Sequence, residues 1–279
     1  MKQFTMIATA TKAGRLELAL ESADLLDAAR ALVAAHADDR GSCAGPLDFA
    51  GRRAWMKASF LAGSSRIRHA LLRTCLRAPL PRVREARNAC WLEAHGFHVP
   101  HPLAAGALGG ALPRWQFLVN EFVAGTPLDA VLRDGGPSER APLLFELASE
   151  TARMHALGFV HRDLFWRNVL VRAAPGARRL VFIDAWRGGA RLQWRTAAYD
   201  LACLFLEAPS LLGEDELRAW LAAYASERAA HGAPIARPRL WSAAAAARGA
   251  LVARVQREPG RWRMPEALVQ EFDFAAAAR

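Results

Sequence analysis

Leu16, Leu18 and Leu20 alternate with Glu17, Ala19 and Glu21, a period of two that predicts a short half-buried strand. Ser22 then stands where it can cap a helix running to about His36, with Asp24 near its positive end. Gly51-Arg52-Arg53 turns into a second strand, Ala54-Trp55-Met56-Lys57. From Pro81 to about His95 the pattern is helical, and Gly96 supplies the stop. The apolar run Trp115 to Val123 predicts a buried strand that leads into a linker at Gly125-Thr126-Pro127. Composition then turns helical, with a loop at Asp134-Gly135-Gly136-Pro137 and a Ser138-capped helix to Leu157, closed by Gly158. Val169-Leu170-Val171 and Leu180-Val181-Phe182-Ile183 read as two short strands around a turn containing Pro175-Gly176. Beyond Thr196 the chain reads as helical to its end, broken around Gly232 to Pro238 and at Pro259-Gly260. There is no internal repeat. A strand-rich first part and a helix-rich second part, joined near residues 121–127, make an α+β chain of two lobes, 1–122 and 123–279.

Composition adds bounds to this picture. The 279 residues suit one large domain or two joined lobes, and 53% hydrophobic residues rule out wholesale disorder. Charge interrupts the apolar stretches before the roughly 18–20 residues that span a bilayer. Met1 to Arg15, with Lys12 inside a weak apolar stretch, does not have the profile of a signal peptide. Cys43, Cys75, Cys90 and Cys203 lack CxxC spacing and fit a reducing, cytoplasmic setting. The net charge of +10 has two accounts: a GC-rich coding bias towards Arg and Ala, or an anionic partner. Lysine is scarce, being only Lys2, Lys12 and Lys57, so composition explains its positions poorly.

The chemistry concentrates in Gly158-Phe159-Val160-His161-Arg162-Asp163-Leu164-Phe165-Trp166-Arg167-Asn168-Val169. A helix ends, a loop presents Asp163, and Asn168 follows at the mouth of an apolar strand. This is the H-R-D-x-x-x-x-N catalytic loop of kinases, in which a carboxylate accepts the proton of the attacking hydroxyl and an amide oxygen helps hold Mg²⁺. Asp184 leaves the strand Leu180 to Ile183 where a second Mg²⁺ ligand should sit, although the motif reads Asp184-Ala185-Trp186 rather than D-F-G. Lys57 ends Ala54-Trp55-Met56 as the lysine of V-A-I-K does, and a helical carboxylate should pair with it. Glu85 is preferred for that partner over Glu93, which is one turn from the helix end. Asp200 in Ala198-Tyr199-Asp200-Leu201 is read as beginning a helix, either bracing the catalytic loop through backbone N–H groups or serving as a plain N-cap.

The gaps are informative too. No G-x-G-x-x-G precedes Lys57, and the nearest candidate, Gly41-Ser42-Cys43-Ala44-Gly45, is short and degenerate. Only sixteen residues separate Asp184 from Asp200, with no A-P-E between them. A peptide-docking activation segment needs more chain, so the spacing favours a small-molecule, sugar or lipid acceptor.

From about Lys57 to residue 210 the chain resembles the bacterial lipopolysaccharide kinase family, the kinases of Kdo and heptose within the protein-kinase-like superfamily. The residues that carry the resemblance are Arg84-Glu85-Ala86-Arg87-Asn88, Ala94-His95-Gly96-Phe97-His98-Val99-Pro100 and Leu118-Val119-Asn120-Glu121-Phe122-Val123. Met154 through Asp163 and Phe182-Ile183-Asp184 with Arg187 complete them. The resemblance implies a bilobal fold with a small β-rich N-lobe and a larger helical C-lobe. It implies ATP and Mg²⁺, with the γ-phosphoryl group passing to a sugar hydroxyl of a lipid-linked acceptor at the cytoplasmic face of the inner membrane. Carried over by position, Asp163 is the base, Asn168 and Asp184 are metal ligands, and Lys57 with Glu85 positions phosphates. Glu121, Phe122 and Val123 form the adenine hinge, and His161 and Asp200 support the catalytic loop.

Arg66, Arg68, Arg73, Arg77, Arg82, Arg84 and Arg87 share their stretch with one acid, Glu85. They form either a solvated face or a peripheral contact with anionic lipid. His155 reads as a packed structural histidine, and no cluster of His and Cys has metal-ligand spacing. Two other readings stay open: a kinase of another small hydroxylated molecule or an atypical Ser/Thr protein kinase, and a nucleotide-binding pseudokinase. Nucleic acid has no supporting motif.

Overall fold

The computed structural model describes residues 9–11, 14–19, 31–35, 41–49, 51–61, 63–64, 66–67, 69, 71, 78–108, 114–174, 177–190 and 194–258. Ser22, Arg68, Arg73, Arg77, the Pro175-Gly176 turn and the break at Pro259 lie outside them. The chain divides into two compact units, Met1–Ala124 and Gly125–Arg279.

The first unit contains β1 (Thr9–Thr11), β2 (Gly14–Ala19), β3 (Ser42–Phe49), β4 (Arg52–Phe60), α1 (Pro81–Ala94), β5 (Pro102–Leu108) and β6 (Trp115–Glu121). The strands form one antiparallel sheet in the order β1-β2-β5-β6-β4-β3. Side chains alternate across a strand, and β4 uses that alternation fully. Ala54, Met56 and Ala58 point to one face, where Phe117, Val119, Leu32 and Val33 pack with them. Lys57 stands on the other face, opposite Leu118 in register, and Leu118 packs there with Leu80, Val83 and Ala86 at the start of α1. The helix therefore covers the face that carries the lysine. Pro81 opens α1 at the first position, where its missing N–H costs nothing, and Gln116 Oε1 accepts the N–H of Arg82 at 3.0 Å. The segment Gly41 to Gly45 is no phosphate loop: Ser42 to Gly45 belong to β3, and Gly45 pairs with Met56.

The second unit contains β7 (Thr126–Pro127), α2 (Leu128–Asp134), α3 (Pro137–Ala156), β8 (Phe159–Val160), a 3-10 turn (Trp166–Asn168), β9 (Val169–Ala174), β10 (Ala177–Phe182), β11 (Gly189–Ala190), α4 (Trp194–Leu206), α5 (Ala208–Leu211), α6 (Glu214–Ala230) and α7 (Arg237–Arg257). Strands order as β10-β9-β7, with β8 and β11 as a separate pair. Helix α3 packs on α6 and α4 on α7. The interior between α4 and α7 holds Phe165, Cys203, Leu206, Leu251 and Val255. The start of α3 corrects the sequence expectation: Gly136 is the N-cap and Pro137 the first helical residue, so Ser138 lies inside the helix. Proline's fixed φ favours that first position more strongly than serine's capping preference moves the start. Arg140 then ties three elements together. It donates to Glu216 at 2.9 and 2.7 Å and to the carbonyl of Leu132 at 2.6 Å, and also to the carbonyl of Leu211.

Candidate active site

In the first unit the strand and helix deliver an ion pair. Lys57 Nζ lies 3.0 Å from Glu85 Oε1, with the carboxylate almost fully buried. Glu85 also has a second cation, since Arg82 Nη1 donates to its other oxygen at 2.6 Å. Arg82 is itself held by Ser59, whose Oγ accepts from Nε at 3.2 Å and from Nη2 at 3.0 Å. The glutamate is thus fixed from both sides, and it fixes Lys57. Further along, the N–H of Glu121 donates to His101 at 2.8 Å and that of Phe122 to Arg53 at 3.1 Å. Of the three hinge candidates, only the Val123 N–H has no main-chain acceptor among the described residues. Phe122 is covered by the Arg53 guanidinium, 4.5 Å from the ring centroid, and lies 6.3 Å from Trp55.

In the second unit the loop between β8 and β9 is held at several points. Asp200, fully buried, accepts the N–H of His161 at Oδ2 and that of Arg162 at Oδ1, both at 2.6 Å. It lies in the middle of α4 and not at its start, which corrects the sequence reading and removes the N-cap alternative. Its Oδ2 also meets His155 Nε2 at 3.1 Å, while His155 Nδ1 lies 2.7 Å from the Tyr224 hydroxyl. An ionised carboxylate only accepts, so Nε2 donates to Asp200, and in the neutral ring Nδ1 is then the acceptor for the tyrosine hydroxyl. Burial pushes the Tyr224 phenol upward, which keeps that proton in place. Past the loop's tip, Asn168 Nδ2 donates to the Asp163 carbonyl at 2.8 Å, and the N–H of Ile183 donates to the Asn168 carbonyl at 3.0 Å. Trp166 is completely buried, and its indole N–H donates to the Leu204 carbonyl. Arg162 and Asp184 are the two non-glycine residues with positive φ among the described residues, at 62° and 65°. Such backbone costs about 1–3 kcal/mol and persists only where the surroundings over-determine it. Asp163 itself makes no side-chain hydrogen bond or ion pair among the described residues. Its main chain is fixed and its carboxylate is available.

A model of the lipopolysaccharide kinase (Kdo/WaaP) family matches residues 61–224, more than half of the chain. The chain belongs to that family. It is therefore a kinase, and the matched stretch contains Glu85, the catalytic loop, Asp184 and Asp200, with Lys57 just ahead of it. Among solved structures, the chain is similar to WaaP in complex with acyl carrier protein. Identity there is 20%, covering 81% of this chain and 87% of that one, with a TM-score of 0.50. It is also similar to a double mutant of the Mycobacterium tuberculosis PknI kinase domain, at 13% identity, 70% of each chain and a TM-score of 0.35. A second double mutant of that domain gives 14% identity, 72% of this chain, 92% of that one and a TM-score of 0.37. None of the curated proteins matches the sequence. The fold shared with WaaP is the bilobal α+β protein-kinase-like fold.

The electrostatics of this lipopolysaccharide kinase follow from burial opposed by nearby charge. Burial raises the Asp163 carboxyl above the ordinary range and Asp184 adds to the rise, while His161, Arg167 and Arg187 pull it back. Burial lowers His161, outweighing the pull of Asp200, Asp163 and Asp184, so the imidazole is neutral. Neither of its ring nitrogens closes a hydrogen bond of normal geometry, although the Ile183 main chain approaches the ring. Asn168 must direct its amide nitrogen at the Asp163 carbonyl, which leaves Oδ1 as the atom available to a cation. With the Asp184 carboxylate this makes a set of hard oxygen donors. Among the described residues no group of three or more His, Cys, Asp or Glu could hold a metal alone. Mg²⁺ binds through one or two such oxygen ligands and fills its shell with water and substrate phosphates.

Three features of the site escaped sequence reasoning. Arg82 looked like one arginine of a basic run, and only the i, i+3 spacing to Glu85 hinted at its pairing. The β8–β11 pair, with Gly189 opposite Val160, is too short to show a period. Gly188 has no room for a side chain: a Cβ there would lie 2.7 Å from the Val160 carbonyl oxygen and 3.0 Å from that of His161.

Proposed function

We propose that this kinase transfers the γ-phosphoryl group of ATP to a sugar hydroxyl of the lipopolysaccharide inner core, on Kdo or heptose. The observation that carries the reading is Asp163: its carbonyl accepts from Asn168 Nδ2 and the Phe165 N–H, the two residues before it are held by Asp200, and its carboxylate makes no hydrogen bond or ion pair among the described residues. Such a group can accept the proton of an acceptor hydroxyl as the hydroxyl attacks phosphorus in line, and proton and phosphoryl group then move without a covalent enzyme intermediate. Asn168 Oδ1 and the Asp184 carboxylate would hold Mg²⁺, which when bound neutralises charge on the transferring phosphates. Lys57, aimed by Glu85, meets the nucleotide's phosphates. The Val123 N–H is the hinge donor to adenine, while Glu121 and Phe122 shape that edge. His161 and Asp200 hold the loop.

The acceptor is best sought at a membrane surface on the cytoplasmic side. Among the described residues no helix is long and apolar enough to cross a membrane. Ile67 and Leu71, both more than half exposed and one helical turn apart, lie in the arginine-rich stretch and favour peripheral contact with anionic lipid. Sedimentation with anionic but not neutral vesicles is the expected result, and equal binding to both removes this part. For the activity itself, the test is labelled-ATP transfer screened over purified lipopolysaccharide core, small sugars and generic proteins. Magnesium-dependent labelling of the core supports the proposal. Labelling only of small sugars or proteins replaces it with another acceptor class, and ATP binding without ADP release makes the protein a pseudokinase.

A further inference from the structure

We infer that Arg187 is the acceptor's anion subsite, taking a carboxylate or phosphate that the acceptor carries beside the hydroxyl to be phosphorylated. The inference rests on the reading of Asp163 as the base.

The argument starts from the main chain. Residues 184–188 form a tight turn in which the N–H of Trp186 donates to Asp184 at 2.8 Å and that of Gly188 to Ala185 at 3.1 Å. Immediately after it, Gly189 pairs with Val160, and the missing Cβ of Gly188 lets the turn sit against the carbonyls of Val160 and His161. The turn and the catalytic loop are therefore one rigid piece, and the base of Arg187 is fixed relative to Asp163.

The side chain is also pre-arranged. The Arg187 guanidinium lies over the Trp186 ring, 4.3 Å from its centroid, and is half-buried. A cation removed from water is costly unless an anion or a hydrogen-bond network meets it. Three other half-buried arginines of this unit are matched, while Arg162 lies over the Tyr199 ring. Arg140 has Glu216, Arg153 has Glu150, and Arg167 lies 3.6 Å from Glu207 while covering Phe165. Arg187 meets no carboxylate among the described residues, and it does not bond to Asp163 although its charge is felt there. A planar guanidinium over an indole, with its N–H groups unclaimed among the described residues, matches the paired oxygens of a carboxylate or phosphate.

Either the nucleotide or the acceptor could supply such an oxyanion. The nucleotide already has Lys57 and the hard oxygen donors Asn168 and Asp184 for its phosphates. Arg162, the other described cation beside the base that meets no acid, is drawn over the Tyr199 ring at 5.8 Å, whereas the charge of Arg187 acts on the Asp163 carboxylate, so Arg187 is the cation left for the acceptor.

The test uses the full chain and the variants Arg187→Gln and Arg187→Lys. Calorimetric binding is measured for an acidic core oligosaccharide, its carboxyl-reduced and dephosphorylated counterpart, and inorganic phosphate, with kinetics in parallel. Wild type is expected to favour the acidic oligosaccharide by about 10-fold or more, in keeping with a charge-assisted bidentate contact. Arg187→Gln should bind both oligosaccharides alike, Arg187→Lys should keep part of the preference, and the KM for ATP should stay unchanged. An undiminished preference in Arg187→Gln overturns the inference, as does a rise in the KM for ATP as large as that for the acceptor. If wild type binds neither oligosaccharide but binds phosphate through Arg187, the subsite stands and the lipopolysaccharide acceptor falls. If it binds none of the three, both fall.

Discussion

Asp200 offers the sharpest perturbation of the site, because one buried carboxylate serves three donors on two elements. Oδ2 accepts from the N–H of His161 at 2.6 Å and from His155 Nε2 at 3.1 Å, and Oδ1 accepts from the N–H of Arg162 at 2.6 Å. In Asp200→Asn, the remaining oxygen does best in the Oδ2 position, where two donors wait. The amide NH₂ then faces the N–H of Arg162, and one charge-assisted bond becomes a donor–donor contact. At about 1.5–3 kcal/mol per hydrogen bond to a charged group, this variant should lose roughly 2–3 kcal/mol. Asp200→Ala forfeits all three bonds and leaves His161 and Arg162 without acceptors, and with partial relaxation the loss should be about 4–6 kcal/mol. Arg162 holds positive φ only while that bond exists, so the loop should relax and kcat should fall by about 10²-fold through misplacement of Asp163. Urea unfolding gives the stability, phosphate transfer gives kcat, and hydrogen exchange at the amides of His161 and Arg162 gives the local effect. Their protection should drop in Asn and vanish in Ala. An Asp200→Ala protein within about 0.5 kcal/mol of wild type, with both amides still protected, refutes the brace.

Other perturbations probe different parts of the chain. Glu85→Gln leaves Lys57 and Arg82 facing each other without their acid and should cost about 2–4 kcal/mol in urea unfolding, while Glu93→Gln should cost under about 0.5. Gly188→Ala places a Cβ 2.7 Å from the Val160 carbonyl oxygen and should cost about 1–3 kcal/mol, with kcat falling more than the KM for ATP changes. For Glu216, burial alone would raise the carboxyl, but the hydrogen bonds from Arg140 and the Gly213 N–H outweigh it and the net shift is downward. Its contribution to stability is therefore complete above the ordinary glutamate range and is lost as pH falls through the depressed folded value. Urea midpoints of wild type and Glu216→Gln should differ near neutral pH and converge as pH falls through the depressed folded value, and a constant gap across that range contradicts the sign.

Much of the catalytic unit was legible in the sequence because its signals are local. A helix stop at Gly158, an acid on a loop and an amide before an apolar strand need no distant residue to be recognised. The two units meet between Ala124 and Gly125, where the apolar run ends and Gly125-Thr126-Pro127 begins. The Lys57 strand was readable from the Gly51-Arg52-Arg53 turn ahead of the apolar Ala54-Trp55-Met56. What stayed hidden depends on tertiary packing. The sequence around Asp200 reads as a helix start, and nothing local shows that His155, His161 and Arg162 give it three hydrogen-bond donors, with Tyr224 behind His155. Ser138 lost the cap to Gly136 because Pro137 set the helix start. Gly41 to Gly45 is the nearest match in the sequence to a glycine-rich loop, yet hydrogen bonding to β4 draws Ser42 to Gly45 into a strand. Arg82 could not be told from its neighbours until Ser59 and Glu85 were seen on either side of it.

The central claim is that Asp163 is the base of a lipopolysaccharide kinase. Its most direct test is the rate of labelled phosphate transfer from ATP to purified lipopolysaccharide core by wild type and Asp163→Asn, with circular dichroism and ATP affinity measured on both. The account predicts Mg²⁺-dependent transfer by wild type and a loss of about 10²–10⁴-fold in a variant that remains folded and binds ATP. Transfer by Asp163→Asn at near the wild-type rate contradicts it.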